Sequence, residues 1–316
     1  MEIIHLSYPN QLTIPESLGP ISLALGFFDG VHRGHQQVIG QAMKTAEERG
    51  IKSAVMTFDP HPSLVLGGRK ECLLYITPLS HKIELLEAQG VDICFIVRFT
   101  SELANLTPEA FIEHFVKELG VVHCTAGFDY TFGKFGKGDM ALLEAESDGK
   151  YSVTTVEKQE SAAEKISSTR IRGLLQEGDV LQAAQLLGRP HTIRGTVVNG
   201  DKRGRTIGFP TANVEPEHGS FVPAGGVYAV RIFVQGVWYD GVCNIGVKPT
   251  FNDPEHAKRT VEVYILDFEQ SIYGEEVEVE WYERIRSEQK FAGIDELKAQ
   301  IEKDKATVIG FFNENR

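Results

Sequence analysis

The chain has 316 residues, of which 42% are hydrophobic and 24% are charged. These values are typical of a folded globular protein of about two domains, and they exclude a disordered or collagen-like chain. The 32 basic and 44 acidic residues give a net charge of −12, which disfavours non-specific binding to a nucleic-acid backbone. A small anionic ligand remains compatible with this charge if it binds in a local basic pocket.

The cysteines and the N-terminus narrow the class of protein further. The four cysteines have no Cys-x-x-Cys spacing, so they predict neither a zinc site nor a disulfide framework: Cys72, Cys94, Cys124 and Cys243. The first residues lack the pattern of a secretory signal, and no apolar run approaches the roughly 20 residues of a membrane helix. We expect a cytoplasmic protein that binds neither membranes nor nucleic acids. The sequence leaves its oligomeric state open.

Strand-like and helix-like segments alternate in the first half of the chain. The predicted strands are Ile21–Gly26, Lys52–Phe58, Asp92–Val97, Val121–Gly127 and Tyr151–Val156. The predicted helices are Gly34–Arg49, Pro78–Gln89, Pro108–Leu119, Thr169–Glu177 and Asp179–Leu187. This alternation predicts a doubly wound α/β domain with a parallel sheet.

After Gly188-Arg189-Pro190 the pattern changes to short β-rich segments. The predicted strands are Thr192–Val198, Gly226–Val234, Val237–Cys243, Thr260–Asp267 and Glu275–Tyr282, and a helix at Ile294–Ile309 closes the chain. Their spacing suits a small antiparallel barrel or a sandwich. We therefore predict two domains, residues 1–186 and residues 187–316.

Polar motifs follow three of the predicted parallel strands. They are G-F-F-D-G-V-H-R-G-H at 26–35, F-D-P-H-P at 58–62 and G-F-D-Y-T-F-G at 127–133. Ligands of such sheets bind at the carboxyl ends of the strands. His32, Gly34 and His35 lead into a helix, whose N-terminus favours phosphate. The alternative interpretation is a helix-capping loop with two solvated histidines.

The segment I-S-S-T-R-I-R-G at 166–173 is a second candidate for anion binding. Arg170 and Arg172 add positive charge at a helix start, which is unfavourable unless an anion binds there. Because the two arginines do not share a helix face, we expect at most one to point at phosphate. Helix capping by Ser167 and Ser168 is the alternative. Neither a Walker A motif nor G-x-G-x-x-G is present, which argues against P-loop kinases and NAD enzymes.

The second half contains a glycine-rich basic stretch that ends in P-T-A-N. Backbone N–H groups of such a loop can wrap a polyphosphate, and the stretch includes Gly200, Lys202 and Gly208. The hydroxyl of Thr211 and the amide oxygen of Asn213 are hard ligands suited to Mg²⁺. An exposed hairpin with a solvated basic turn is the alternative. Strand alternation places Glu262 on the face opposite Val261 and Val263, where it can meet a ligand.

Together these motifs resemble the prokaryotic bifunctional riboflavin kinase/FMN adenylyltransferase (FAD synthetase) family. The motifs of the first half are similar to its nucleotidylyltransferase module. G-F-P-T-A-N, N-I-G-V-K-P-T-F and T-V-E-V-Y-I-L-D-F are similar to its riboflavin kinase module. The resemblance covers essentially the whole chain. It implies a Rossmann-like nucleotidylyltransferase domain, followed by a small antiparallel β-barrel of the riboflavin kinase type with a C-terminal helix.

The resemblance implies two ATP-dependent reactions assisted by Mg²⁺. Riboflavin is phosphorylated to FMN, and FMN is then adenylylated to FAD with release of pyrophosphate. Its partners are therefore the small molecules ATP, riboflavin, FMN and FAD. The FMN phosphate attacks the α-phosphorus of ATP directly, without a covalent intermediate on the protein.

The resemblance also assigns roles to residues of the first half. His32 and His35 stabilise the phosphates at the reaction centre. The β/γ end of ATP is held by Ser168, Thr169 and Arg172. The other ligand-binding residues of the motif at 26–35 are Gly26, Phe27, Asp29 and Gly34. The resemblance places Asp59, His61 and Asp129, from the two later motifs, on the flavin side of the site.

In the second half the resemblance assigns Glu262 as the base that accepts the proton of the riboflavin 5′-hydroxyl. Substrates are bound by Gly200, Lys202, Gly208, Thr211, Asn213 and Asn244, of which Thr211 and Asn213 also hold the metal. Arg286 and Phe291, in the R-I-R-S-E-Q-K-F segment at 284–291, are assigned to the isoalloxazine ring, and a solvated helix entrance is the alternative. The family often has histidine where Tyr264 stands, so the resemblance does not extend to a role that requires an imidazole at that position.

Two other functions fit parts of the pattern. One is a nucleotidylyltransferase that acts on another small phosphate and carries a barrel that only binds. The other is a flavin sensor whose barrel binds FMN without turnover. The P-T-A-N and T-x-E segments favour a working kinase over both.

Overall fold

The computed structural model describes residues 1–9, 18–67, 74–157, 160–161, 164–200, 208–248 and 258–315. The chain divides into two compact units. The first contains Met1–Leu73 and Pro78–Ser167, and the second contains Leu74–Thr77 and Ser168–Arg316.

The first unit is built on a sheet of six parallel strands. They are β1 (Glu2–Leu6), β2 (Ile21–Leu25), β3 (Lys52–Asp59), β4 (Ile93–Arg98), β5 (Val121–Gly127) and β6 (Ser152–Val156), in the order β1-β4-β3-β2-β5-β6. The parallel sheet confirms the sequence prediction, which omitted β1. The chain runs from β2 to β3 and β4 on one side and continues in β5 and β6 on the other. The order therefore reverses between β2 and β5, which is where ligands of such sheets bind.

The helices of this unit are α1 (Arg33–Arg49), α2 (Pro62–Leu66), α3 (Leu79–Ala88), α4 (Ser101–Ala104), α5 (Pro108–Ile112) and α6 (Met140–Ala145). A π-helical turn at Glu113–Lys117 follows α5, so the single helix predicted at 108–119 has two hydrogen-bonding patterns. Two short strands, β7 (Glu160–Ser161) and β8 (Glu164–Lys165), pair near the end of the unit.

Both faces of the central strands are buried. Leu23 and Met56 belong to one apolar cluster, whereas Ala24 and Val55 belong to another. Successive side chains of a strand point to opposite faces, so the two clusters are the cores on either side of the sheet. Because these strands are covered on both faces, they are nearly continuous hydrophobic runs in the sequence.

The second unit is built on a closed antiparallel barrel. Its strands are β9 (His191–Val198), β10 (Ala212–Pro216), β11 (Gly226–Val234), β12 (Val237–Lys248), β13 (Lys258–Ile265) and β14 (Glu276–Arg286), which close in the order β10-β13-β12-β11-β14-β9. Of the two architectures that the sequence allowed, the structure has the barrel.

In the described residues of this unit, the barrel is accompanied by the helices α7 (Ser168–Glu177), α8 (Val180–Leu187) and α9 (Ile294–Glu314) and by the short segment Leu74–Thr77. Helix α8 packs on β14 and β9, and Val308 and Phe312 of α9 pack against apolar side chains of β11 and β12. Tyr75 pairs with the chain at residues 219–221 through two backbone hydrogen bonds. The compact units thus divide at Ser167/Ser168, whereas the sequence places the domain boundary after residue 186, which stays a prediction.

Candidate active sites

The two histidines of the first motif form a stacked pair at the start of α1. His32 is the N-cap residue, and its Nδ1 accepts a hydrogen bond from the His35 backbone N–H at 3.2 Å. The ring centroids are 3.5 Å apart with the planes at 18°. Because Nδ1 accepts, the neutral His32 ring carries its proton on Nε2 and can donate from there. His32 therefore caps the helix and is also equipped to meet an anion.

The turn that delivers this pair has an unusual backbone. Phe28, Gly30 and Val31 have φ values of 57°, 86° and 41°. A β-branched residue at positive φ is costly and persists only where the surroundings enforce it. Here Gln36 Nε2 donates to the Val31 carbonyl at 2.8 Å. A Cβ at Gly34 would lie 3.2 Å from the His32 ring, so stacking of the histidines favours glycine at this position.

The motifs after β2 and β3 meet at the same end of the sheet. The rings of Phe27 and His61 contact edge to face, with centroids 4.2 Å apart. Thr57 Oγ1 donates to the Phe27 carbonyl at 2.8 Å, and the Gly26 N–H donates to the Met56 carbonyl at 3.3 Å. His61 also caps α2 by accepting from the Ser63 N–H at 3.1 Å.

The three aspartates of these motifs differ in exposure. Asp29 is buried, whereas Asp59 at the end of β3 and Asp129 after β5 are exposed. The remaining predicted residues of the first half lie on α7, in the second unit. Ser168 begins that helix, Thr169 is exposed, and Arg172 Nε donates to the Leu74 carbonyl at 3.3 Å.

Three predicted residues form a row across the barrel. In the strand register Glu262 of β13 pairs with Asn213 of β10 on one side and with Asn244 of β12 on the other. Their strand neighbours, such as Val261 and Val263, point into the barrel. The row therefore lies on the outer face, where directly paired side chains have Cβ atoms about 5 Å apart. The predicted orientation of Glu262 is confirmed.

A cavity of about 420 Å³ is lined by one member of this row, Asn213. Thr211 and Asn213 line it together with the connection between β13 and β14, residues 268–273. A Cβ at Gly200 would overlap the side-chain amide of Asn213, so this close approach requires glycine. Gly208 is exposed with φ of +94°. Lys202 lies outside the described residues.

Comparison with known proteins matches both units. A family model described as FAD synthetase matches residues 14–170, and one described as riboflavin kinase matches residues 187–312. A bifunctional riboflavin kinase/FMN adenylyltransferase of Bacillus subtilis is 51% identical over 316 residues, 100% of both chains. The protein of that name in Listeria monocytogenes is 47% identical over 312 residues, 99% of this chain and 98% of the relative. The chain belongs to the bifunctional riboflavin kinase/FMN adenylyltransferase family.

A crystal structure from Streptococcus pneumoniae has the same fold. It matches with a TM-score of 0.89 and 36% identity, and covers 96% of this chain and 98% of its own. That protein is described as a macrolide-efflux protein. Among the described residues of the present family member, no helix is long and apolar enough to cross a membrane.

The kinase half of a family member needs a place for Mg²⁺, and the donors beside the cavity fit one. Thr211 directly precedes β10 and Asn213 is the second residue of that strand, and both residues line the cavity. They offer a hydroxyl and an amide oxygen, which are hard ligands. In the described part of the chain, no group of three or more His, Cys, Asp or Glu residues could hold a metal. These donors fit an ion that takes its other ligands from nucleotide phosphates and water.

The two residues predicted to contact the flavin ring lie near the end of the barrel. The Arg286 guanidinium lies 5.8 Å from the centroid of the Phe291 ring. It also forms an ion pair with Asp304 of α9 at 2.8 Å. Arg286 is thus bound within the protein, which the motif alone did not indicate.

Sequence reasoning missed several residues at these sites. Lys82 and Thr57 lie behind the first motif, Asp304 lies behind Arg286, and residues 268–273 line the cavity. Lysine on an amphipathic helix and aspartate on a closing helix are ordinarily exposed, so composition gives no signal for their burial. Phe268, the last residue of the L-D-F segment, lines the cavity because of how the barrel closes, which the motif itself does not show.

Proposed function

We propose that this chain makes FAD from riboflavin in two ATP-dependent steps. The barrel unit transfers the γ-phosphoryl group of ATP to riboflavin and yields FMN and ADP. The motifs of the first half of the chain transfer AMP from a second ATP to FMN and yield FAD and pyrophosphate. The observation that carries the proposal is the row of Asn213, Glu262 and Asn244, whose member Asn213 lines a cavity, in a chain that also has the paired histidines of an adenylyltransferase motif.

In the kinase step Glu262 is the general base. It accepts the proton of the riboflavin 5′-hydroxyl while that oxygen forms its bond to the γ-phosphorus and the bond to the β-phosphate bridge breaks. Thr211 and Asn213 hold Mg²⁺, which neutralises charge on the phosphates when it is bound. Asn244 lies beside Glu262 and can orient the carboxylate or the substrate hydroxyl. Gly200, Lys202 and Gly208 bind phosphate, and Arg286 and Phe291 lie on the flavin side.

In the adenylyl step an oxygen of the FMN phosphate attacks the α-phosphorus of ATP, and the bond to the departing pyrophosphate breaks. The protein aligns the two anions and neutralises their charge. His32 and His35 donate to phosphoryl oxygens at the positive end of α1. Ser168, Thr169 and Arg172 hold the departing β/γ end. Asp59, His61 and Asp129 contribute on the flavin side.

The proposal includes the cellular setting. The chain works in the cytoplasm on the small molecules ATP, riboflavin and FMN, and it binds neither nucleic acid nor membrane. The net charge of −12 supports the absence of nucleic-acid binding, because an acidic chain repels a phosphate backbone.

One incubation tests the proposed function. The pure full-length protein receives riboflavin and MgATP, and FMN, ADP, FAD and pyrophosphate are measured separately over time. We expect one ADP per FMN formed and one pyrophosphate per FAD formed. FMN without FAD would remove the adenylyl step. Flavin binding without consumption of ATP would instead identify a sensor.

A further inference from the structure

A lysine that the proposed mechanism does not use is buried behind the adenylyl motif. Lys82 of α3 is 2% exposed. Its Nζ donates to the Phe27 carbonyl at 2.9 Å and to Thr57 Oγ1 at 3.1 Å, and Thr57 Oγ1 itself donates to the same carbonyl at 2.8 Å. Burying an ammonium group is expensive unless hydrogen bonds replace water. Two of these bonds converge on a single backbone carbonyl, at the start of the turn that leads to His32.

The surroundings of this ammonium group are apolar and anionic. Nζ lies 4.1 Å from the centroid of the Phe27 ring, a cation–π contact. The titratable groups that act on it are Asp29 in the turn, Asp59 on β3 and Cys94 on β4. Burial lowers the pKa of Lys82 from 10.5 to about 8, and the two carboxylates oppose this shift. The ammonium is therefore the positive counterpart of two carboxylates assigned to the adenylyl site.

We propose that Lys82 is a positioning residue for adenylyl transfer: its ammonium group holds the Phe27 carbonyl, and with it the turn that places His32 and His35, and offsets Asp29 and Asp59 where phosphates bind. The inference rests on the proposed adenylyl function. It adds a residue that touches neither substrate and acts through the backbone and the local charge.

The geometry of the turn explains why one anchor matters. Only four residues separate Phe27 from His32, and three of them have positive φ. Such a turn has few alternative conformations that keep both ends in place, so movement of Phe27 is transmitted to the histidines. Misplacement of reacting groups by about 1 Å can cost about 100-fold in rate. The Phe27 ring also contacts His61, so the same anchor steadies the flavin side.

The test compares Lys82→Met and Lys82→Arg in the full-length protein. Methionine preserves length and removes the charge and the donors, whereas arginine retains both. For Lys82→Met we expect kcat of FMN adenylylation to fall at least about 10-fold, with KM for FMN changed less than about threefold. Lys82→Arg should recover part of the loss. Riboflavin phosphorylation in the same preparations should be unchanged, since it belongs to the other unit.

A second pair of variants leaves Lys82 unchanged, so its result does not depend on whether the protein folds with a substitution at Lys82. Thr57→Val removes the hydroxyl between Lys82 and Phe27, and Thr57→Ser retains it. We expect Thr57→Val to lower the adenylylation kcat by about 5- to 10-fold and Thr57→Ser to change it less than about twofold. If Lys82→Met does not fold, this pair decides, and equal kcat values for valine and serine would overturn the proposal.

Leu86→Ala is the matched control for loosening of α3. Leu86 is buried one turn from Lys82 and takes no part in its hydrogen bonds. We expect this variant to lower the thermal midpoint and to leave the adenylylation kcat within about twofold. A Lys82→Met kcat equal to that of the parent, or an equal loss in Leu86→Ala, would overturn the proposal. Absence of FAD formation by the parent protein would instead refute the proposed function, and it is measured first.

Discussion

Asp304 of the C-terminal helix binds Arg286 of the last barrel strand through both carboxylate oxygens. Arg286 Nε donates to Oδ1 at 2.9 Å and to Oδ2 at 3.1 Å, and Nη2 donates to Oδ2 at 2.8 Å. Gln300 Nε2 adds a further bond to Oδ1 at 2.8 Å. The side chain of Asp304 is only 4% exposed. This buried ion pair connects α9 to the strand end that bears the proposed flavin contacts.

Asp304→Ala should destabilise the barrel more than any exposed change on the same helix. It leaves a guanidinium group largely buried without its carboxylate, which typically costs about 3–5 kcal/mol. Denaturant unfolding of the full-length protein measures this cost. Glu302→Ala, an exposed change two residues away, is the control and should lie within about 0.5 kcal/mol of the parent. The double variant Arg286→Met/Asp304→Leu should lose less than Asp304→Ala, because no charge stays buried alone.

Replacing His32 and His35 together by alanine should abolish FAD formation and leave FMN formation intact. Each lost donor at the phosphates should raise the barrier by roughly 2–4 kcal/mol. The measurement is FAD release from FMN and ATP, with riboflavin phosphorylation in the same tube as the control. His114→Ala, at an exposed ion pair elsewhere in the unit, should change neither rate. A double variant that makes FAD at the parent rate would remove both histidines from the site.

Glu262→Gln should separate the two activities in the opposite direction. Glutamine keeps the shape and one acceptor but cannot take the proton of the 5′-hydroxyl, so FMN formation should slow by about 10²–10⁴-fold. Supplied with FMN, the variant should make FAD at the parent rate. Glu276→Gln, on an exposed position of β14, is the matched control. Unimpaired phosphorylation would show that Glu262 is not the base.

A fragment that begins at residue 168 should be more stable than one that begins at residue 187. The shorter fragment lacks α7 and all of α8 except Leu187, and with them the buried side chains of Ile171, Leu175, Val180, Ala183 and Leu186. Exposing the surface they cover costs about 25 cal/mol per Å² of apolar area. Both fragments contain the whole barrel, so we expect both to phosphorylate riboflavin, the shorter one with a lower thermal midpoint. Equal midpoints would place both α7 and α8 outside the cooperative unit of the barrel.

Adenylylation should weaken above a pH of about 8 if the Lys82 ammonium group is required. Burial lowers the pKa of Lys82 to about 8, below the ordinary value of 10.5. Between these values the unfolded chain binds more protons, so the contribution of Lys82 to stability rises with pH while the positioning charge is lost. Rates and unfolding free energies of parent and Lys82→Met over pH 6.5–10 measure both effects. A parent rate that parallels Lys82→Met across this range would contradict the prediction.

The parts of the fold that the sequence predicts are those in which local pattern and burial agree. In β13 the alternation of Val261, Glu262 and Val263 places the carboxylate outside the barrel, as the structure has it. β1 escapes prediction because only one of its five residues is buried, and its pairing with β4 depends on residues far along the chain. The π-helical turn after α5 preserves the apolar spacing of a helix, so the pattern cannot distinguish them.

The residues of the candidate sites likewise fall into those that local pattern predicts and those that it does not. His32, Glu262 and Asn213 are predictable because each stands in a motif at the end or on the outer face of a strand. Lys82 and Asp304 are not, because their burial is decided by partners distant in sequence. The motifs thus contain the predicted site residues but not the residues that position them, such as Lys82 and Asp304.

The pairing of Tyr75 with residues 219–221 affects the order in which the two units can fold during synthesis. Leu74–Thr77 leaves a ribosome long before the barrel strands exist, yet it belongs to the compact unit that contains them. All six strands of the first sheet precede the barrel in the chain, so this sheet can form before Leu74–Thr77 has a barrel segment to pair with. A fragment that begins at residue 168 therefore keeps every barrel strand but lacks one segment of its own compact unit. Only a chain that carries both the early segment and the barrel strands can form the second unit in full.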